Sequence, residues 1–191
     1  MFIRGFILLL LTFTSARAQT RTFEIDPAHT SVQFEIRHFF GTVVGQFHEV
    51  RGTLRIDEAQ PQNSSVIASC PTRTIQTGNS SRDAHLRDEL FEVAKYPQIT
   101  FRSTKVAQTA ANQADVVGDL TLHGVTHPII LHVTLLSREK QPSGGEATRW
   151  RASGGNFSRR AFGLVWSRGV EAISGIGDEI TLKIDCEARE F

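Results

Sequence analysis

The chain has 191 residues, 21 of them Lys or Arg and 20 Asp or Glu, for a formal net charge of +1. That length suits one domain. Basic and acidic residues are interspersed throughout, so no clustered cationic surface of the kind that displaces counterions from nucleic acid is expected.

The amino terminus reads as a secretory leader. Arg4 precedes an apolar run from Phe6 to Phe13, too short for the roughly 20 residues that span a bilayer, and Ala16-Arg-Ala18 supplies the small side chains of a cleavage site before Gln19. Residues 1–18 are therefore set apart as a cleaved signal peptide, and 19–191 as one domain. Without Arg4 and Arg17 the 21 basic residues fall to 19, against 20 acidic ones, a net charge near −1.

Period-two alternation dominates the remainder. Val32, Phe34 and Ile36 alternate with Gln33, Glu35 and Arg37, and the pattern recurs in Thr53–Asp57 and from Val66 to Thr72. Ser80 to Leu90 breaks it with the one helix expected: Ser80 as amino-terminal cap, Asp83 near the positive end of the dipole, and Leu86 and Leu90 on one face. After Pro97 the alternation resumes in Gln98–Arg102, Asp119–His123 and Ile129–Leu135, with hairpin loops expected within Gln108–Asp115 and Glu139–Thr148. Trp150 and Ala152 share a face, whereas Phe157 has the opposite parity; a bulge at Gly154-Gly155 restores it to the inside. Gly175-Ile-Gly177 reads as a hairpin turn before a last strand carrying Ile180, Leu182, Ile184 and Cys186.

About eight strands, each with one apolar stripe, predict an all-β, antiparallel sheet that closes into a barrel to hide its dry face and its edges. Eight strands is also the size at which a barrel holds one small ligand or is plugged by its own side chains, and alternation leaves both open. Cys70 and Cys186 could bridge in an oxidising compartment; their apolar strand context favours two buried free thiols.

No catalytic motif stands out. His123 and His127 flank a Gly124-Val-Thr126 turn rather than one helix face, and no Cys pair or His-Glu-x-x-His accompanies them, so no metal site is expected. Gly-x-Ser-x-Gly is absent, and Ser80, Ser81, Asp83 and His85 on one short helix cannot form a nucleophile, base and orienter. Arg82, Asp83 and His85 cluster where the helix adjoins the barrel mouth, either fixing the helix to the barrel or meeting a ligand head group.

Taken in order, several segments resemble the YceI-like family, polyisoprenoid-binding periplasmic proteins with a lipocalin-like barrel. The first part is Asp26-Pro-Ala-His29-Thr-Ser31-Val-Gln-Phe34 with His38, Gly45-Gln-Phe47, Gly52, Thr77-Gly-Asn79 and Arg82-Asp-Ala-His85-Leu86. The second is Tyr96-Pro-Gln-Ile-Thr-Phe101-Arg-Ser103, Gly118 to Thr126, Arg159, Phe162-Gly-Leu164 and Gly177-Asp-Glu179. The resemblance implies an eight-stranded antiparallel lipocalin-like barrel with one short helix near one end, an isoprenoid tail in an open tunnel, a periplasmic location, no cofactor and no catalytic residues. Two departures bear on the head-group end: Ala161 stands where the family has Asp, and Leu90-Phe-Glu92 replaces its Asp-Phe-Phe-Asp run.

The expected tunnel lining is Phe34, Ile36, Phe47, Leu54, Ile99, Phe101, Leu120, Leu131, Val133, Phe157, Phe162, Leu182 and Ile184, with Arg82, Asp83 and His85 at the mouth. The expected partner is an isoprenoid lipid of the polyprenyl or isoprenoid-quinone type, without nucleic acid or stable membrane insertion; homodimerisation stays open. The alternatives are a hydrolase or isomerase using His29, His38 or His85 as base, and an envelope protein-interaction module.

Overall fold

The computed structural model describes residues 20–39, 41–142, 144–173 and 175–191; the expected leader lies outside them. Ten strands follow in chain order: β1 (Thr20–Ile25), β2 (Ser31–His38), β3 (Gly41–Phe47), β4 (Arg51–Asp57), β5 (Ser65–Pro71), β6 (Gln98–Ala110), β7 (Gln113–Leu122), β8 (Val125–Lys140), β9 (Glu146–Ser158) and β10 (Ile176–Glu190). Two short helices are α1 (Ser80–His85) and α2 (Arg168–Ile173).

All pairings are antiparallel, and the order β1-β4-β5-β6-β7-β8-β9-β10 closes through β1 against β10. The hairpin β2–β3 takes over where β1 leaves off: Ile25 is opposite Ala188 on β10, and Ser31 is opposite Asp185. β1 and β2 thus occupy one position of an eight-position ring in succession, and β4 and β3 occupy the next. The break falls at Asp26-Pro27, where proline has no N–H for the ladder. Asp26 there turns the chain by accepting from the Ala28 amide at 2.9 Å, and its other oxygen lies 2.9 Å from His29 Nδ1.

The first end of the barrel, where β1, β7 and β9 begin, carries an ion-pair network. Arg21 forks onto Glu190 at 2.8 and 2.5 Å and reaches Glu146 at 2.9 Å, while Arg138 pairs with Glu58. The second end, where β6, β8 and β10 begin, carries both helices. The turn joining β7 to β8 is only His123-Gly124, both in the left-handed region (φ 53° and 74°) as a two-residue hairpin demands.

Three local expectations need correction. Asn79, not Ser80, caps α1: its extended backbone (φ −137°, ψ 108°) lets its side-chain oxygen accept from the Arg82 amide at 2.9 Å. α1 then widens over Leu86–Leu90 into a π-type turn, with the Phe91 amide donating to Leu86 O at 2.8 Å. Gly175-Ile-Gly177 is not a hairpin turn; α2 precedes it and Ile176 already belongs to β10. The bulge at Gly154-Gly155 is present. Ile180 pairs with Phe157 and Leu182 with Gly154, so β9 spends one residue more than β10, with φ of 116° and 61° at the two glycines.

Candidate functional site

The barrel encloses a cavity of about 900 Å³, at the upper end of the roughly 300–1,000 Å³ usual for small-molecule sites. Inward parity of the strands builds its wall. Phe34 and Ile36 come from β2, Phe47 from β3, Leu54 from β4, Ile99 and Phe101 from β6, Leu120 from β7, Leu131 and Val133 from β8, Phe157 from β9, and Leu182 and Ile184 from β10.

A barrel lined with so many aromatic rings stays hollow because the rings lie along the wall. A side chain at Gly45 would place its Cβ 2.2 Å from the Phe34 ring, and one at Gly118 would meet the Phe101 ring at 2.4 Å. Each phenylalanine thus covers a neighbouring strand at the place where that strand has no side chain, and the space down the middle remains free.

Phe162 does not line the cavity. It is wholly buried beneath the 3-10 turn Arg160–Phe162, edge-on to Phe157 and His127 with ring centroids 5.0 Å apart in each case. Asp83 also departs from expectation. It turns away from the mouth and accepts from the Thr77 amide at 2.9 Å and the Thr77 hydroxyl at 2.5 Å, bracing the loop before α1. Arg82 and His85 do border the cavity, and Arg82 grips Thr77 through its hydroxyl (2.7 Å) and carbonyl (2.9 Å).

Sequence reasoning omitted part of the lining. Leu86, Leu90 and Phe91 close the second end from α1 and its continuation, and Trp150 and Trp166 add large apolar surface. Cys70 and Cys186 also face the cavity, both as free thiols. Burial pushes the Cys70 thiol up to about 12, and burial pushes Cys186 up to about 11, so both stay protonated near neutral pH. Their parity with Ala68 and Ile184 was the signal.

The second end is pinned by a buried ion pair. Arg159, 2% exposed, forks onto Glu171 of α2 with two 2.8 Å bonds, and also donates to Gly177 O at 2.9 Å and Leu164 O at 2.6 Å. The Arg159 fork, aided by the Trp166 amide and Arg160, holds the Glu171 carboxyl down at about 2. On its outer side β3 is tied to the segment before α1 by the bridge of Gln46 to Gln76. His38, Val43, Thr77, Arg82, His85 and Glu89 border the cavity at this end, the expected mouth, while Glu58, Gln108, Asn112, Gln113 and Arg138 border it at the first.

The histidines considered as bases are placed differently. His38 and His85 border the mouth, whereas His29 is outside the cavity beside Asp26. Asp26, His29 and Glu187 approach within 4.8 Å, but Arg189 already bridges the two carboxylates at 2.7 and 3.3 Å, where a cation would sit. His123 Nε2 lies 2.8 Å from Glu92 Oε2, and His127 Nε2 lies 3.1 Å from Ala161 O; both tie end loops to the barrel. No helix among the described residues is long and apolar enough to cross a membrane.

Comparison with known proteins agrees with this architecture. Residues 23–188 match the model of the YceI-like domain. The chain is 36% identical over 154 residues to Protein YceI of Salmonella arizonae, an alignment covering 78% of this chain and 80% of that protein. The YCEI protein of Campylobacter jejuni superposes with a TM-score of 0.69 at 27% identity, covering 80% of this chain and 87% of that one. Two more distant structures share the fold. One is Burkholderia cenocepacia BcnA (TM-score 0.75, 20% identity, 85% and 98% covered). The other is a polyisoprenoid binding domain from Saccharophagus degradans implicated in plant cell wall breakdown (TM-score 0.64, 19% identity, 91% and 100% covered). The chain belongs to the YceI-like domain family.

Proposed function

We propose that this protein is a carrier that holds the tail of a long-chain isoprenoid lipid, of the polyprenyl or isoprenoid-quinone type, inside its barrel. The observation that carries the reading is the hollow cavity of about 900 Å³ walled by apolar side chains. Each methylene withdrawn from water contributes about 0.8 kcal/mol, so a branched hydrocarbon tail binds firmly without a polar contact. The fold shared with a polyisoprenoid binding domain supports the same ligand class.

The mouth supplies a modest polar complement. Arg82 and His85 offer donors to a head group, while the departure at Ala161 lies beyond the cavity, in an end turn where its carbonyl meets His127. Tail volume therefore selects the ligand more than head-group chemistry does. The leader-like residues 1–18 support export to the periplasm, where a lipid in transit needs a cover from water. The predominance of apolar side chains in the lining supports a binding protein.

The test is uptake. Delipidated protein, titrated with a fluorescent polyprenyl analogue, should bind one tail per barrel and saturate. Failure to take up any prenylated compound would sink the carrier reading.

A further inference from the structure

Phe39, at the tip of the β2–β3 hairpin, is unusual in two ways. Its backbone is in the left-handed region at φ 50°, which an aromatic residue rarely adopts, and its side chain is 63% exposed. The conformation is held in place: the Phe39 amide donates to Gly175 O at 2.9 Å, and its ring stands edge-on to His38 at 4.8 Å. Strain and exposed apolar surface coincide at one residue, which points from an outlier towards a function.

The position of this tip is equally specific. Ile36 and His38 below it on β2, and Val43 on β3, line the cavity, as do Trp166 and Ile176 on either side of α2. Phe39 therefore stands at this end of the cavity, outside its lining. Val165, 50% exposed, adds apolar surface just before α2.

The unpaired charges on the Phe39 side of this end are mainly basic. Arg37 and Arg168 are exposed and have no carboxylate partner among the described residues, and Arg160 is half exposed. The carboxylates on this side are largely committed, Glu171 to Arg159 and Arg160 and Asp178 to the Arg160 amide at 3.1 Å, leaving Glu179 exposed; Asp88 and Glu89 are exposed across the cavity, on the turn that continues α1.

We propose that the second end of the barrel docks peripherally and reversibly on an anionic phospholipid bilayer, Phe39 entering the interface while Arg37 and Arg168 meet lipid phosphates. This rests on the carrier reading. A long isoprenoid tail resides in a bilayer, and a mouth held against that bilayer lets the tail enter the barrel without crossing water. Among the described residues, one exposed aromatic flanked by a few cations is too small a surface for a stable protein interface, which buries on the order of 800 Å² per partner, but it suits interfacial anchoring, where a ring and a few charges act together.

The test uses the purified protein and sedimentation with vesicles of phosphatidylcholine alone or mixed with phosphatidylglycerol. The protein should sediment with the mixed vesicles, less with phosphatidylcholine alone, and less again at high salt. Arg37→Gln and Arg168→Gln should each weaken binding about fivefold. Phe39→Asn, chosen because asparagine tolerates the left-handed backbone, should weaken it at least as much. Uptake of a prenyl lipid delivered from detergent should be unchanged in all three, which shows that the fold and cavity are intact. The docking proposal is overturned if the parent protein ignores mixed vesicles, or if these variants bind them as the parent does. Vesicle binding without uptake from detergent would instead remove the carrier reading and leave the docking surface standing.

Discussion

The Phe34 ring lies across Gly45 of the neighbouring strand, in the space that a β-carbon there would need. The emptiness of the barrel depends on this arrangement as much as on strand number. Gly45→Val should push the ring off the wall and into the cavity. Because the obstructing atoms are the far end of a side chain, the fold survives, and the longest tail accepted should shorten. Uptake of prenyl compounds of graded length, with the melting temperature as control, reads this out.

The apolar wall should tolerate no charge. Leu131 is 6% exposed and faces the cavity, so Leu131→Arg places a cation where the tail would run. Ligand uptake should be abolished while the circular-dichroism signature of the barrel persists. Collapse of that signature would mark Leu131 as ordinary core.

Much of this wall was legible from sequence, because a strand shows its two faces by parity alone. Phe34, Ile36, Phe101, Leu120 and Leu182 needed no more than that, and Phe157 needed only the bulge that two glycines announce. Parity stops where a strand stops. β9 ends at Ser158, and Phe162 sits on the following 3-10 turn, buried outside the cavity. Asp83 likewise shares a helix with Arg82 and His85, yet Thr77 draws it away from them. α2 gave no signal, since Arg168-Gly-Val-Glu-Ala-Ile is six residues long, contains glycine, and is held chiefly by a partner nine residues before its start. The division of one ring position into β1 and β2 follows from Pro27, but only once β10 is known to pair with both.

The Arg159 and Glu171 pair should make the second end sensitive to acid. The carboxyl of Glu171 is held at about 2, below its ordinary 4.5. A depressed folded-state value means that the pair's stabilisation is complete above about 4.5 and is lost as pH falls from there towards 2. Glu171→Gln leaves a buried guanidinium without its counter-charge and should cost about 3 kcal/mol. Thermal unfolding of parent and variant at pH 7 and pH 3 should show the gap narrowing at the lower pH.

The two cavity thiols should be inert. With Cys70 raised to about 12 and Cys186 to about 11, the thiolate fraction at pH 8 is small and the lining is shielded. Ellman's reagent should find neither in the folded protein and both after denaturation without reductant. Thiols that remain undetected after denaturation would reveal a bridge instead.

Asn79→Ala removes the oxygen that caps α1 and should cost about 1 kcal/mol. Its effect should concentrate at the mouth, as faster amide exchange at Arg82 and along α1 than in β7 or β8.

The central claim is that the hollow barrel carries an isoprenoid tail. The most direct measurement is to purify the protein from cells under mild conditions, extract it with organic solvent and weigh what is released. A stoichiometric polyprenyl or prenylated-quinone species, missing from the Leu131→Arg variant, is the predicted result. An empty barrel that also refuses such lipids after delipidation, or one that releases a stoichiometric polar compound, would contradict it.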